Sequence, residues 1–372
     1  MTAAADGEGD ATLLELVDIA KEFVPGHGAL ARLLRRPARS IRALNGVTLR
    51  VRAGDVVGLV GESGSGKSTL AHVAIRLTDV TRGTIAYRGG DVTRLSRRRL
   101  QPFRRRAQIV FQDTHSSLNP RKTVRQALGD ALRMRGMGRA DRAGRAAALL
   151  EQVGLGARFL DRYPHELSGG QRQRVGLARA LAMEPEFLIA DEPVSSLDVS
   201  LQAQMLNLLM RLREDLGLTM LFISHDLAVV NRISNRVAVM YAGRIVEHGT
   251  TAEVLRAPAH PYTQALLAAI PTGRPGRPAS PTVGGDAVDL SRLPPGCPFA
   301  GRCPVAMSVC RDVYPAAIDL SPTHRAECHL LGMPAGGATG SVSPGPPEAA
   351  TTGAGDAGPL HAGGTALRCR EE

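Results

Sequence analysis

Short apolar runs alternate with segments of helical spacing from residue 11 to about residue 255. Runs at 13–17, 47–51 and 56–60 have the length of strands, and two more follow at 187–190 and 219–223. The runs from 56 onward are continuous, as in strands buried on both faces of a parallel sheet. Between 123 and 155 the apolar residues recur at helical spacing, which indicates an inserted helical lobe. The pattern predicts an α/β fold.

The pattern changes near the end of this region. Residues 237–240 and 244–247 predict a hairpin that turns at Ala242-Gly243. Residues 256 to about 330 are rich in proline, hold four of the five cysteines and predict a small appended domain. Residues 331–372 form a Gly/Ala/Pro/Thr tract with few large apolar side chains, and we expect this tail and residues 1–11 to be disordered.

Composition narrows the class of protein. The 372 residues are 43% hydrophobic and 22% charged, which is typical of a folded globular protein. No apolar run reaches the roughly 18 residues of a membrane-spanning helix, and residues 1–10 resemble neither a secretory signal nor a transit peptide. We therefore expect a cytoplasmic chain. The net charge of +11 could attract nucleic acid or an anionic membrane, but aromatics make up only 3% of the chain, which disfavours nucleic acid.

A glycine-rich segment matches the phosphate-binding pattern G-x-x-x-x-G-K-[ST] directly after the predicted strand at 56–60. Such a loop points backbone N–H groups and a helix N-terminus at phosphates. The amine of Lys67 offsets phosphate charge, and the Ser68 hydroxyl is a magnesium ligand. The predicted nucleotide-binding residues here are Gly61, Glu62, Ser63, Gly64, Ser65, Gly66, Lys67, Ser68 and Thr69.

Two adjacent carboxylates end the apolar run at 187–190. A phosphate-binding loop needs an acidic partner for its metal, and a buried strand that ends in Asp191 supplies one. Adjacent side chains at a strand end point in different directions. We therefore expect Asp191 to hold Mg²⁺ and Glu192 to face the γ-phosphate and polarise an attacking water.

A further motif, LSGGQ at 167–171, completes an ordered series with the phosphate loop, Gln112, ADE at 190–192, SSLD at 195–198 and His225. In this order the motifs resemble those of ATP-binding-cassette (ABC) ATPases. The resemblance implies a P-loop NTPase cassette over 12–255. Such a cassette has a RecA-like core, an antiparallel β subdomain and an inserted helical lobe, here at about 95–180.

The resemblance also assigns roles. Gln112 would sense magnesium, which ATP requires, and His225 would hydrogen-bond the γ-phosphate and the attacking water. Phe23 would stack on adenine, although it could instead be a core residue. The signature residues would bind the ATP of a facing subunit, so the active unit would be a dimer. These residues are Ser168, Gly169, Gly170 and Gln171, with Asp198 crossing the interface.

Three features resemble the oligopeptide and dipeptide importer group: FQDTHSSLNP at 111–120, HPYT at 260–263 and a cysteine-rich segment after it. The cysteines are spaced C-x5-C-x6-C-x17-C, and in a reducing compartment such a cluster favours metal over disulfides. Thiolates select an iron-sulfur cluster or zinc, and free thiols are the remaining alternative. The resemblance implies a [4Fe-4S] cluster on Cys297, Cys303, Cys310 and Cys328.

The sequence thus predicts the ATP-hydrolysing subunit of a peptide importer, bound peripherally at the cytoplasmic face of the cell membrane. The implied partners are two permease subunits, a second ABC ATPase and an extracytoplasmic solute-binding protein, with no nucleic acid. Alternatives are an importer of nickel or a peptide-like conjugate, and a soluble ABC ATPase acting on nucleic acid. A basic insertion at 28–40 could touch anionic lipid.

Overall fold

The computed structural model describes residues 12–24, 40–112, 118–195, 197–269 and 288–332. The disorder predicted for 1–11 and 331–372 lies outside the described residues, except at residues 331 and 332, which belong to a 3₁₀ turn and are ordered contrary to that prediction. Most of the basic insertion and residues 113–117 of the FQDTHSSLNP motif also lie outside the described residues. The strands are β1 Thr12–Phe23, β2 Ile41–Arg52, β3 Val56–Val60, β4 Arg82–Tyr87, β5 Gly90–Asp91, β6 Ala107–Val110, β7 Phe187–Asp191, β8 Thr219–Ser224, β9 Arg236–Tyr241, β10 Arg244–Thr250, β11 Ala317–Asp319 and β12 Arg325–Glu327.

Ten α-helices lie in the part of the chain that the structure describes. They are α1 Lys67–Ala74, α2 Gln101–Arg106, α3 Val124–Arg135, α4 Arg142–Gln152, α5 Gly169–Leu181, α6 Val199–Leu216, α7 Leu227–Ile233, α8 Thr251–Arg256, α9 Pro261–Ala268 and α10 Val309–Asp312. Short 3₁₀ turns occupy Ala157–Phe159, Pro164–Glu166 and His329–Gly332. No helix in the described ranges is long and apolar enough to cross a membrane.

The strands form two sheets. β1, β2, β4 and β5 make a small antiparallel sheet in the order β2-β1-β4-β5. The large sheet has the order β11-β12-β10-β9-β3-β8-β7-β6, and its strands from β9 to β6 are parallel. The predicted hairpin is present as β9 and β10, and its turn residues Ala242 and Gly243 both have positive φ. This arrangement is the predicted α/β cassette, with a small antiparallel sheet beside a parallel core.

The central strand β3 explains the continuous apolar run at 56–60. Val56 and Val60 pack with the helices of the lobe, whereas Val57 and Leu59 pack with α1 and the small sheet. All five residues of β3 are buried. A strand that is covered on both faces needs apolar side chains in both directions, so the usual alternation disappears.

Helices α3, α4 and α5 pack on one another and form the helical part between 123 and 181. α3 begins at a capping box, in which the Thr123 hydroxyl accepts the Gln126 N–H while the Gln126 side chain accepts the Thr123 N–H. β6, which lies inside the expected lobe range of about 95–180, is a strand of the large sheet.

The cysteine-rich segment after 288 continues the large sheet. β12 pairs with β10 through Glu247 and Ala326, and β11 pairs with β12. The buried Glu247 carboxylate accepts the N–H groups of Ala259 and His260 and lies 2.8 Å from His324 Nε2. This segment, residues 288–332, is called the extension below. Sheet pairing and a buried carboxylate fix it to the cassette.

Candidate active site

Four neighbouring parallel strands deliver the predicted catalytic groups to one edge of the large sheet. Gly61 follows β3, Gln112 lies two residues after β6, Glu192 follows β7 and His225 follows β8. The register pairs Val60 with Ser224, Asp191 with Ile223 and Val110 with Ala190, so the carboxyl ends of these strands lie level. Ligands of open α/β sheets bind at this edge. Residues far apart in the chain therefore meet here.

The loop from Gly61 to Gly66 turns tightly into α1, which begins at Lys67. The Lys67 amine donates to the carbonyls of Gly61 at 2.8 Å and Glu62 at 2.7 Å. Gly66 has φ of 107°, and a Cβ there would stand 2.5 Å from the Ala43 carbonyl oxygen. Only glycine fits this position without strain. Burial lowers the pKa of Lys67, and the nearby carboxylates of Glu192 and Asp191 oppose that shift.

The predicted metal ligands already touch each other. Ser68 Oγ donates to Asp191 Oδ1 over 3.2 Å, which links the first turn of α1 to the end of β7. The Asp191 side chain is buried, and this burial raises its pKa despite the Ser68 hydrogen bond. A hydroxyl beside a carboxylate is a donor set that suits a hard divalent cation such as Mg²⁺. The residues present therefore fit the magnesium ion that accompanies a nucleotide.

Two side chains approach the Glu192 carboxylate, each from a residue that follows a strand next to β7. Gln112 Nε2 donates to Glu192 Oε2 over 2.7 Å, and His225 Nδ1 lies 3.7 Å from Glu192 Oε1. Glu192 has φ of 45°, a region that non-glycine residues seldom adopt. Its backbone N–H donates to the Ile223 carbonyl of β8 and holds it there. Such strain is typical of functional positions.

A cleft of about 710 Å³ opens over this edge of the sheet. Gln112, Glu192, His225 and the exposed Phe23 all line it. Ser63, Gly64, Gly66, Lys67, Ser68 and Thr69 of the loop also line it. Four residues predicted for the loop and the end of β7 do not line the cleft: Gly61, Glu62, Ser65 and Asp191. Asp191 is hydrogen-bonded to Ser68, which does line it.

The signature residues lie elsewhere. Ser168 caps α5 by accepting the Gln171 N–H, and the Gln171 side chain accepts the Ser168 N–H in return. Asp198 caps α6 by accepting the Leu201 N–H. Ser168, Gly169 and Asp198 are exposed, and none of the signature residues lines the cleft of their own chain. Each helix N-terminus presents unpaired backbone N–H groups to solvent, which is suited to an anion.

Two residues of the C-terminal part, residues 256–330, contact the phosphate loop. The sequence did not single them out for the site. Tyr262 Oη accepts the Glu62 backbone N–H at 2.9 Å. Arg302 donates to both Glu62 carboxylate oxygens, each over 2.8 Å. The available signals were slight: a tyrosine in the HPYT motif and an arginine between two cysteines of the extension.

The four predicted cysteine ligands line one cavity of about 20 Å³. Burial raises the pKa of Cys297 to about 11 and also raises the pKa of Cys303 and Cys328. Within the described ranges, no three histidine, cysteine or acidic side chains are arranged to hold a metal ion. A cavity of this size has room for about one water molecule. As it stands, the geometry does not support the predicted iron-sulfur cluster, although all four cysteines line the same cavity.

Comparison with known proteins agrees with the motif order. Residues 44–195 match the family model described as ABC transporter, and residues 246–310 match that of the oligopeptide/dipeptide transporter C-terminal region. Relatives from Brucella ovis and Brucella abortus, both named "Putative peptide import ATP-binding protein", are 47% and 45% identical over 80% and 87% of this chain and 95% of each relative. The chain belongs to the ABC transporter ATPase family. The predicted family is confirmed.

Solved cassettes share the fold. A dimeric post-hydrolysis state of an ATP-binding cassette bound to ADP and Pi is 29% identical, with a TM-score of 0.56 over 64% of this cassette protein and 99% of that chain. A component of an ABC transporter complex from Clostridium perfringens is 27% identical, with a TM-score of 0.57 over 67% and 92% of the two chains. The predicted cassette fold is thereby confirmed, and the chain is an ABC-type ATPase.

Proposed function

We propose that this cassette is the ATP-hydrolysing subunit of a membrane importer for oligopeptides or dipeptides. The observation that carries the proposal is the convergence of the phosphate loop, the Ser68–Asp191 pair and the Gln112–Glu192–His225 group at one cleft. The match to the oligopeptide/dipeptide transporter C-terminal region and the names of the Brucella relatives support the peptide cargo. Nickel or a peptide-like conjugate is the alternative cargo.

ATP phosphates would bind the loop at residues 61–69. Lys67 would exchange its bonds to two loop carbonyls for contacts with the phosphates, and the N-terminus of α1 would face the same charge. Ser68, Asp191 and Gln112 would hold Mg²⁺. The bound ion would neutralise phosphate charge during transfer. Phe23, exposed at the cleft, would stack on the adenine ring.

Glu192 would act as the general base. Its carboxylate stands at the cleft between Gln112 and His225, and water placed there can give its proton to the carboxylate as it attacks the γ-phosphate. His225 would hydrogen-bond the phosphate and the water. Gln112 occupies one carboxylate oxygen in this structure, so it would have to release that oxygen or leave the second one for the water.

The active unit would be a dimer. Ser168, Gly169, Gly170 and Gln171 lie outside the cleft of their own chain, so they are available to the nucleotide of a facing cassette. Asp198 would cross the same interface. Two ATP molecules would then be held between two cassettes, and hydrolysis would release them. The dimeric cassette structure among the comparisons supports this arrangement.

The permease subunits would contact the groove of about 700 Å³ between the large sheet and the helical lobe. Its lining includes the apolar Ile109, Phe111 and Leu118 and the basic Arg97, Arg105 and Lys122, of which Lys122 pairs with Asp130 of the same lining. A permease segment with apolar and acidic side chains would fit. Phe111 precedes Gln112, so movement at the nucleotide would reach the groove. The chain would lie peripherally at the cytoplasmic membrane face, with a second cassette and a solute-binding protein completing the importer.

The extension would hold a thiolate site. The convergence of Cys297, Cys303, Cys310 and Cys328 on one cavity supports a shared ligand, and zinc or an iron-sulfur cluster would require the cavity to open. We also propose domain limits of 12–255 for the cassette and 256–330 for the C-terminal part.

The test uses Glu192→Gln, co-expressed with and without permease subunits. We expect ATP hydrolysis to fall by about 10²- to 10⁴-fold because the base is lost. The dimer should accumulate with bound ATP. Both forms should sediment with membranes only when the permease is present. Hydrolysis at the parent rate would refute Glu192 as the base. Sedimentation that does not change when the permease is present would refute permease docking.

A further inference from the structure

Glu62 connects the phosphate loop to residues beyond the cassette: its side chain contacts the extension and its backbone contacts helix α9. Arg302 binds its two carboxylate oxygens in a bidentate pair, with both distances 2.8 Å. Tyr262 Oη accepts its backbone N–H at 2.9 Å. Its carbonyl accepts the Lys67 amine at 2.7 Å. The residue that positions the phosphate-binding lysine is therefore itself held by residues outside the loop.

These contacts are not loose surface pairs. The Arg302 side chain is 11% exposed, the Glu62 side chain is 35% exposed and Tyr262 is fully buried. The bidentate fork fixes the orientation of the carboxylate as well as its distance. The hydrogen bonds to Glu62 raise the pKa of Arg302 above its already high ordinary value, and burial opposes this shift. A pair with this geometry and burial constrains its partners more than an exposed ion pair does.

An aromatic cluster supports the arginine. Tyr241, Tyr262 and Phe299 have ring centroids between 4.5 and 5.4 Å apart, and all three are buried. Arg302 also donates to Tyr241 Oη at 3.3 Å. Tyr241 ends β9, whose neighbouring Met240 carbonyl lies 2.1 Å from where a Cβ on Gly61 would be. The cluster therefore lies against the base of the phosphate loop.

The extension presents Arg302 on a tight turn. The Ala300 N–H donates to the Cys297 carbonyl at 3.0 Å, and the Arg302 N–H donates to the Phe299 carbonyl at 2.9 Å. The Cys297 N–H donates to the Cys310 carbonyl, which fixes the turn to the rest of the extension. The position of Arg302 thus depends on the folded extension, from which its side chain reaches Glu62 and Tyr241 of the cassette.

We propose that Arg302 and Tyr262 are positioning residues that hold the phosphate loop in its nucleotide-binding shape, so that ATP affinity depends on the extension and on helix α9. The proposal rests on the assignment of the ATP site to residues 61–69. Without the two contacts, the Glu62 peptide can turn. The Gly61 and Glu62 carbonyls then no longer place Lys67 at the loop, and the loop must be reordered when phosphate binds.

The experiment measures the equilibrium Kd for a fluorescent ATP analogue with Mg²⁺ on the full chain, together with the thermal midpoint without nucleotide. The variants are Arg302→Gln, Arg302→Lys, Glu62→Gln, the Arg302→Gln/Glu62→Gln double variant and Tyr262→Phe. Tyr262→Phe removes only the hydroxyl and keeps the ring in its cluster. Arg325→Gln is the matched control, because Arg325 pairs with Asp319 over 3.4 Å within the extension and does not contact the loop.

We expect Arg302→Gln to raise Kd about tenfold, within the range typical of coupling between sites. Arg302→Lys should recover part of the affinity, since it keeps the charge and loses the fork. The double variant should bind no more weakly than either single variant, because the pair acts as a unit. Arg325→Gln should leave Kd unchanged. If Arg302→Gln fails to fold, Arg302→Lys and Tyr262→Phe carry the test.

Two results would overturn the proposal. One is a lowered thermal midpoint with an unchanged Kd in the Arg302 and Tyr262 variants, which would make the contacts purely structural. The other is strict additivity in the double variant. Lys67→Ala separates this failure from failure of the ATP site itself. If Lys67→Ala binds the analogue normally, the assignment of residues 61–69 is wrong, whereas loss of binding with normal Arg302 variants refutes only the positioning role.

Discussion

Acidification should weaken the anchoring of the C-terminal part through the buried His260. His260 is 1% exposed and caps α9, where its Nδ1 accepts the Tyr262 N–H at 3.0 Å. Burial lowers the pKa of His260 from 6.5 to about 4. Protonation would place a charge in an apolar site and would remove the acceptor that caps the helix. The Glu247 carboxylate does not offset the buried charge of a protonated His260 ring, because it accepts the backbone N–H of His260.

The direction and size of the change in unfolding free energy follow from the difference between the pKa of His260 in the unfolded chain and in the folded chain. Between pH 6.5 and about 4 the unfolded chain binds a proton at His260 that the folded chain does not, so the free energy of unfolding falls as pH falls. The full difference corresponds to about 3 kcal/mol, reached below pH 4. At pH 5 the loss relative to neutral pH is about 2 kcal/mol.

The assay is reversible urea unfolding at several pH values from 7.5 to 4.5, followed by circular dichroism, on the wild-type chain and on His260→Asn. An asparagine side chain can cap the helix without titrating. His165→Asn, which replaces an exposed histidine stacked on Tyr163, is the control. We expect the wild type and the control to lose about 2 kcal/mol more than His260→Asn between pH 7 and pH 5. Parallel pH profiles for all three would refute the reasoning.

Three further predictions concern two glycine substitutions and the metal content. Gly58→Ala in β3 should destabilise the chain by about 1–3 kcal/mol, because the added Cβ would stand 2.3 Å from Val230 Cγ1. Gly129→Ala in α3 should stabilise the chain by about 0.5–1 kcal/mol, because the added Cβ meets nothing within 4 Å and alanine favours a helix. Urea unfolding of both variants should show changes of opposite sign in the free energy of unfolding. If the cavity of the proposed thiolate site opens to take a metal, iron, sulfide and zinc analysis after anaerobic purification should find one that Cys303→Ser releases, and a metal-free wild type would contradict the site.

The local sequence was sufficient to predict most of the elements, and the motifs named the groups that the structure brings to one cleft. Continuous apolar runs predicted β3, β7 and β8, because strands covered on both faces need apolar side chains in both directions. The glycine pattern at 61–69 predicted the phosphate loop, because its tight turn into α1 excludes most other residues at positions such as Gly66. The motif resemblance named Gln112 and His225, and the level carboxyl ends of the parallel strands bring both to one edge with Glu192.

Only the tertiary structure decided how the extension relates to that cleft. β11 and β12 are three residues each, too short for a periodic signal, and they form only because β10 offers an edge for pairing. Arg302 lies 240 residues from Glu62, and no local pattern specifies a contact over that separation. The same holds for the four cysteines: their spacing suggested a shared site, but their distances depend on how the extension packs. Local chemistry thus determined the cassette and its motifs, whereas long-range packing determined what holds the phosphate loop in place.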